Sequence, residues 1–285
     1  MKFLTLAAIC LFICLNGWTQ QKPAYILYNA KGKKVGFDKM IRLLSGNDIV
    51  LFGEYHNNPI AHWMELEIAM ALHEKRQLVI GAEMFERDNQ DAVEDYLAGK
   101  KDEKELALAA RLWKNYPTDY APVLNFAKEQ HLVFAGTNIP RRYASLVAHG
   151  GLEALDTIAP AEKAWIAPLP IPYDPALPGY RKMLSMMGAG HGGENLPKAQ
   201  AIKDATMAWF LLKYRKQGDL FFHLNGSYHS DNHDGIVWYL NQYQPGLKIN
   251  TISTVSQKDI QSLLPENKGI ADFIICVDTN MTNTY

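Results

Sequence analysis

Cysteine is scarce in this chain. Its 285 residues hold three, and two of these, Cys10 and Cys14, lie among the first fifteen residues. A chain trimmed of that segment keeps Cys276 alone, which excludes a disulfide framework as its source of stability, even in an oxidising compartment. The surroundings of Cys276, Phe273-Ile274-Ile275-Cys276-Val277, read as a strand in which the thiol is a small buried hydrophobe. Excess charge is also missing: 29 Lys and Arg stand against 30 Asp and Glu, for a net charge of −1. Nothing electrostatic therefore draws the chain to nucleic acid or to an anionic bilayer. No internal repeat or low-complexity tract is evident. A glycine-rich dinucleotide or phosphate loop of the required form is absent, as is a Gly-x-Ser-x-Gly nucleophile elbow. What remains is 48% hydrophobic and 21% charged, and long enough to bury a sizeable core of its own.

The most prominent apolar run stands at the start. Lys2 precedes Phe3 to Leu15, a run of signal-peptide length and too short to span a bilayer. Gly17 and Thr19 then supply small residues before a cleavage near Gln20. The expectation is an exported protein, with residues 1–20 as signal peptide and 21–285 as the mature domain. Cys10 and Cys14 are lipidation candidates, although Ile9 and Ile13 stand where a bacterial lipobox prefers a small residue. The expected location is the periplasm or the membrane-associated cell envelope, with a lipid anchor if either cysteine is modified.

From Ile49 to Gln90 the pattern is strand, polar turn, amphipathic helix, strand, polar turn. Ile49 to Phe52 is an uninterrupted β-prone run of the kind covered on both faces. Asn58-Pro59 reads as an N-cap with proline at the first helical position, and Ile60, Trp63, Met64, Ile68, Ala71 and Leu72 mark the inward helix face. Leu78 to Ile80 is the next strand, expected beside the first. Tyr25 to Tyr28 with Lys34-Val35 reads as a small hairpin, and Phe37 to Leu44 as a short helix. Asp88 is positioned as the N-cap of a helix that Gly99 ends. The charged run Lys100 to Glu105 opens a solvated helix continuing to Trp113. Tyr116 to Pro122 reads as a loop and Val123 to Gln130 as a helix.

Leu132 to Asn138 is a third strand, and Leu220 to Leu224, Lys248 to Ser253 and Phe273 to Val277 are three more, with a helix over 198–216. Alternation of strands and helices argues for an α/β fold with a mainly parallel sheet. Residues 150–197 are rich in proline and glycine and hold a methionine-rich helix, Tyr180 to Met187. They read as a cap laid over the sheet.

Four strands thus end in polar residues: Glu54 and His56; Glu83, Glu86 and Arg87; Asn138 and Arg141; Asn225 and His229. Gly-x-x-His occurs twice, at Gly53–His56 and Gly226–His229. Glycine turns the chain off the strand, and a histidine three residues on can point back into the crevice. Carboxylates and imidazoles together bind divalent metal or exchange protons near neutral pH. His62, His73, His131 and His149 read as surface residues.

Gly53-Glu54-x-His56, Ala82-Glu83-Met84-Phe85-Glu86-Arg87 with Gln90, and Gln200-x-x-x-Asp204-x-x-Met207-Ala208 before Gly226-x-x-His229 together resemble the ChaN-like haem-binding family. The resemblance spans nearly the whole mature chain in order. It implies an exported bacterial protein associated with haem or iron uptake, often a lipoprotein, that holds haem at a dimer interface. It further implies a tyrosine ligand, and a phenolate suits ferric iron. Positional matches are Tyr180 as iron ligand and His191; by their chemistry Met183, Met186 and Met187 suit the apolar macrocycle, and Arg181 and Lys182 the propionates. Partners implied are a second copy of the chain and outer-membrane haem or iron transport components. The wider superfamily, which includes erythromycin esterase-like and Tiki/TraB proteins, implies an alternative: a metal-dependent esterase or protease. In that reading Glu54, His56, Glu83 and His229 hold metal or act as acid and base, and Arg87 stabilises an anion.

Overall fold

The computed structural model describes residues 22–187 and 193–285. The expected signal peptide, Cys10, Cys14 and His191 lie outside them. In chain order the elements are β1 (Tyr25–Asn29), α1 (Phe37–Leu44), β2 (Ile49–Glu54), α2 (Pro59–His73), β3 (Leu78–Glu86) and α3 (Gln90–Leu97). Three short helices follow, α4 (Glu103–Ala109), α5 (Tyr116–Asp119) and α6 (Ala121–Glu129), then β4 (Val133–Asn138) and α7 (Arg141–Gly150). The cap contains α8 (Pro178–Met187) and leads to α9 (Leu196–Tyr214), β5 (Leu220–Gly226), α10 (Ile236–Tyr243), β6 (Ile249–Gln257) and β7 (Phe273–Asp278).

One seven-stranded sheet runs β1-β7-β6-β2-β5-β3-β4. Only β1 is antiparallel to its neighbour; the other pairings are parallel. Successive side chains of a strand face opposite ways, and the two cores follow that rule. Val50 and Phe52 join α1 to α6 on one face, while Ile49 and Leu51 join α7 to α10 on the other. Phe222 and Phe221 divide in the same way. Every residue of β2 and β5 is buried, as strands covered on both faces require. Cys276 is a buried free thiol beside β1, as expected.

Local chemistry explains most boundaries. The Asn58 carboxamide oxygen accepts from the N–H groups of Ile60 and Ala61, both at 3.0 Å, with Pro59 at the helix start. Asp102 and Glu105 form a reciprocal capping box on α4. Several expectations need correction. Asp88 is not an N-cap: Arg87–Asn89 forms a tight 3-10 turn, and the Asp88 carboxylate pairs with Arg111 and Arg142. The helix expected to reach Trp113 stops at Ala109. The expected loop at 116–122 holds α5 and the start of α6, because Pro117 and Pro122 occupy first-turn positions where a missing N–H costs nothing. Helix α10 went unmarked in the sequence because Ile236-Val237-Trp238-Tyr239 has strand-like composition, which packing overrides. Among the described residues no helix is long and apolar enough to cross a membrane.

Candidate functional site

The four strands whose carboxyl ends carry polar residues are contiguous in the sheet, in the order β2-β5-β3-β4. Contrary to expectation β2 and β3 are not neighbours; β5 lies between them and pairs with both. That insertion puts Gly226 and His229 between the Glu54 and Glu83 ends. Above these ends opens a cleft of about 1350 Å³, whose lining includes Glu54, His56, Glu83, Asn138 and His229. Ligands of parallel α/β sheets bind in this position.

Close backbone approach builds the floor. A Cβ on Gly226 would lie 2.8 Å from ring atoms of His56, and one on Gly53 would lie 2.9 Å from Cα of Ser227. Glycine at both places lets the two Gly-x-x-His turns nest against one another. His56 keeps 35% of its side chain exposed, with Nδ1 2.6 Å from Glu54 Oε1 and its ring edge-on to Trp113 at 4.8 Å. Burial disfavours the His56 cation, but Glu54 and Glu83 outweigh it and raise the pKa. Its Nε2 edge lies toward the backbone of Gly226.

His229 differs. Nδ1 is 2.5 Å from Asp204 Oδ1 and Nε2 is 3.1 Å from Glu83 Oε1, all three residues being buried. Burial pushes the imidazole toward neutrality, yet the two carboxylates hold its pKa at about 10. Glu83 answers in kind: burial would raise it, but His229, His56 and the Gly226 N–H, 2.8 Å away, keep it well below the carboxylate range. His229 is therefore an imidazolium with both nitrogens engaged, and it offers no lone pair to a metal or a substrate. Gln200 and Asp204, four residues apart on α9, both face it. Beneath the floor His223 bridges Thr137 (2.7 Å) and Asn225 (3.1 Å), with its pKa pushed down by burial to about 4.

The remaining sequence-derived candidates scatter. Glu86 lies on the cleft wall, where its carboxylate takes Arg111 at 2.8 Å and the Arg141 N–H at 3.0 Å. Asn138 lines the cleft, with a buried Oδ1 that has no partner. Arg87 turns away: its guanidinium lies 4.1 Å over the Phe210 ring and donates to the Gly136 carbonyl at 2.7 Å, holding α9 to the sheet. It is not placed to meet an anion in the cleft. Tyr180 is buried, stacked on Tyr173 at 5.7 Å, with its hydroxyl 3.3 Å from Asp204 Oδ2. Burial first, and then the Asp204 charge, raise its pKa. Arg181 is exposed and Met183 half-buried on α8; the side chains of Met186 and Met187, like His191, fall outside the described residues. The α8 start is tied to the cleft by Tyr228, whose hydroxyl donates to the Gly179 carbonyl at 2.5 Å.

Three residues were missed. His62, expected at the surface, is 5% exposed and lies behind the floor with Glu65 and Asp119. The available signal was His62-x-x-Glu65 on the same helix stripe as Met64, Ile68 and Leu72. Conversely Trp63, assigned to the inward face, is 46% exposed. His131 and His149 are exposed, as expected, and His73 is half-buried against Phe126.

The sequence pattern of one protein family, described as haem-binding uptake, Tiki superfamily, ChaN, matches residues 40–240. The chain belongs to this haem-binding family. Among solved structures it is similar to ChaN of Campylobacter jejuni, a structure of cofacial haem binding, at 19% identity and a TM-score of 0.65. That likeness covers 88% of this chain and 96% of the other. A Bacillus cereus protein is similar at 10% identity and a TM-score of 0.51, over 88% of this chain and 95% of that one. These likenesses show the shared α/β fold. No curated protein matches. Haem is the ligand of this family.

Proposed function

We propose that this protein binds haem in the course of haem or iron uptake, with the macrocycle lying across the cleft mouth and the outer face of α8. Membership of the haem-binding family over residues 40–240 carries the reading. The chemistry of the mouth fits it. Tyr55 and Tyr228 are 40% and 38% exposed and line the opening with Trp113, giving aromatic surface for a flat apolar ring. Arg141 and Lys203 line the same opening and supply cations for propionates. On α8, exposed Arg181 and Lys182 flank Met183 and Leu184. Tyr180, Met187 and His191 are the proposed contacts to iron and ring. The Tyr180 phenol must leave Asp204 to reach a metal. A second copy of the chain covering the exposed haem face would give the cofacial arrangement named for Campylobacter jejuni ChaN. Export to the periplasm or envelope, lipid anchoring at Cys10 or Cys14, and handover to outer-membrane transport components belong to the same proposal. The hydrolase reading gains no support, since His229 has no free nitrogen.

A ferric-haem titration of the 21–285 chain, read by absorbance, tests this directly. Saturable binding is expected, with a phenolate-type spectrum that Tyr180→Phe abolishes and a dimer in sedimentation only when haem is present. Binding that survives both Tyr180→Phe and His191→Ala moves the ligand to another residue. The absence of any saturable phase overturns the haem reading.

A further inference from the structure

Behind the cleft floor, α2 turns a second set of ionisable groups toward the end of β2. Glu54, His62 and Glu65 are all buried, and each presents a ligand atom within 4.8 Å of the others. The hydrogen bonds around the set decide its chemistry. Both His62 nitrogens face acceptors: Nε2 lies 3.1 Å from the His56 carbonyl and 3.3 Å from Asp119 Oδ2, and Nδ1 lies 3.2 Å from Glu65 Oε2 and 3.5 Å from Glu54 Oε2. With the ring proton on Nε2, the Nδ1 lone pair is turned to the two glutamates and is available to a cation.

The outward-facing oxygens are satisfied. Glu54 Oε1 takes the Tyr120 hydroxyl at 2.8 Å and His56 Nδ1 at 2.6 Å. Asp119 Oδ2 takes Asn115 at 2.7 Å and Thr284 at 2.8 Å. Glu54 Oε2, which faces His62, is buried without a hydrogen-bond partner, and so is Oε1 of Glu65, whose Oε2 meets His62 Nδ1. A lone pair and two carboxylates facing one another away from water repel unless a positive centre lies between them.

We propose that Glu54, His62 and Glu65 hold one divalent first-row transition cation, behind the cleft floor and apart from the haem surface. Two carboxylates match the charge, and a neutral imidazole directs the choice toward Zn²⁺, Mn²⁺ or Fe²⁺ rather than Ca²⁺ or Mg²⁺. Nε2 of His62 is hydrogen-bonded to the His56 carbonyl with the Asp119 carboxylate 3.3 Å away, the outer-shell surroundings that orient a metal-binding imidazole. The competing occupant is a proton, either on His62 Nδ1 in its hydrogen bond with Glu65 or on Glu65 itself, where burial and the Glu54 charge both favour it. Because Glu54 Oε1 also holds His56, the cation would set the position of the half-exposed histidine in the cleft. The proposal stands independently of the haem reading.

Chelator-treated 21–285 chain, free of haem, is titrated with Zn²⁺ and with Mn²⁺ separately, followed by calorimetry and by thermal melting. One equivalent should bind and raise the melting temperature. Glu65→Gln and His62→Gln should each remove the saturable step, and Asp119→Asn should weaken it roughly 10- to 100-fold. His56→Ala, altered in the cleft, should keep it. Circular dichroism of each metal-free variant separates lost binding from lost folding, and Asp119→Asn supplies a graded readout if either ligand variant fails to fold. No stoichiometric step in the wild-type chain, with Glu65→Gln melting as high as wild type, would overturn the proposal in favour of a shared proton. So would a step that survives Glu65→Gln and His62→Gln but is lost in His56→Ala.

Discussion

Nδ1 of His229 lies 2.5 Å from Oδ1 of Asp204, joining the turn after β5 to the middle of α9, the helix that carries the cleft's far wall. With Glu83 on the opposite nitrogen, the three groups form a buried cation flanked by two carboxylates. Their charges are worth most to each other where water is excluded, and removing the cation leaves both carboxylates uncompensated.

His229→Gln should therefore cost about 3–5 kcal/mol at pH 7, read by urea unfolding. The pH dependence has a definite sign. The folded pKa of about 10 exceeds the unfolded value near 6.5, so the His229 contribution is complete below pH ~6.5 and is lost as pH rises through about 10. Asp204, raised by burial, follows the same direction from a lower pH. Glu83, held low, contributes above its ordinary range and loses that contribution as pH falls toward its folded value. Wild-type stability should decline from pH 7 to pH 9 more steeply than that of His229→Gln. Equal slopes would show that His229 is not the titrating group.

The two cleft glycines should respond differently to alanine. At Gly53 the new Cβ meets backbone, Cα of Ser227 at 2.9 Å and the Ile252 carbonyl at 3.0 Å, so Gly53→Ala should cost about 1–3 kcal/mol. At Gly226 it meets the half-exposed His56 ring, which can swing away. Gly226→Ala should melt closer to wild type while displacing His56, and NMR of the His56 ring protons reports that shift. A Gly226→Ala variant as unstable as Gly53→Ala would mean the ring is held rigidly.

Arg87→Lys keeps the charge but loses the planar fork and the stacking on Phe210. A loss of about 1–3 kcal/mol in unfolding free energy is expected, because hydrogen bonds from charged groups are worth that much. Haem affinity should stay unchanged. A variant of wild-type stability with weakened ligand binding would return Arg87 to the cleft.

Cys276 is buried, and burial pushes its thiol up to about 11. The native 21–285 chain should thus show no reaction with a disulfide reagent on the minute scale, and one thiol once unfolded in guanidinium. Rapid native labelling would show local opening at the β1 edge.

Much of this was readable in the chain. Ile49 to Phe52 and Leu220 to Leu224 are runs that only doubly covered strands carry, and Asn58-Pro59 fixed the start of α2 through a cap whose chemistry is local. Where the sequence misled, a residue's character competed with its position. Hydrophobicity suggests that Trp63 faces inward and polarity that His62 faces outward, yet the 100° helical step puts His62 and Glu65 on the buried stripe. The stretch 116–122 reads as a loop in sequence, although Pro117 and Pro122 sit in first turns, where proline starts a helix. The cap helix begins at Pro178, two residues before the expected Tyr180, and which way the Tyr180 ring faces depends on Tyr173 and Asp204 from other parts of the chain.

The sequence by itself determined the α/β class, most strands, the two glycine turns and the ordered motifs that mark the family, because each rests on residues a few positions apart. Strand order was decided only in three dimensions. Nothing in the spacing of β2, β3 and β5 says that the last inserts between the first two, since parallel partners are chosen by how helices pack on both faces. That insertion brings Glu54, Glu83 and His229 together, and with them the Asp204 partner from α9. The charge on His229 follows from it, because a pKa is set by neighbours in space and not by neighbours in the chain.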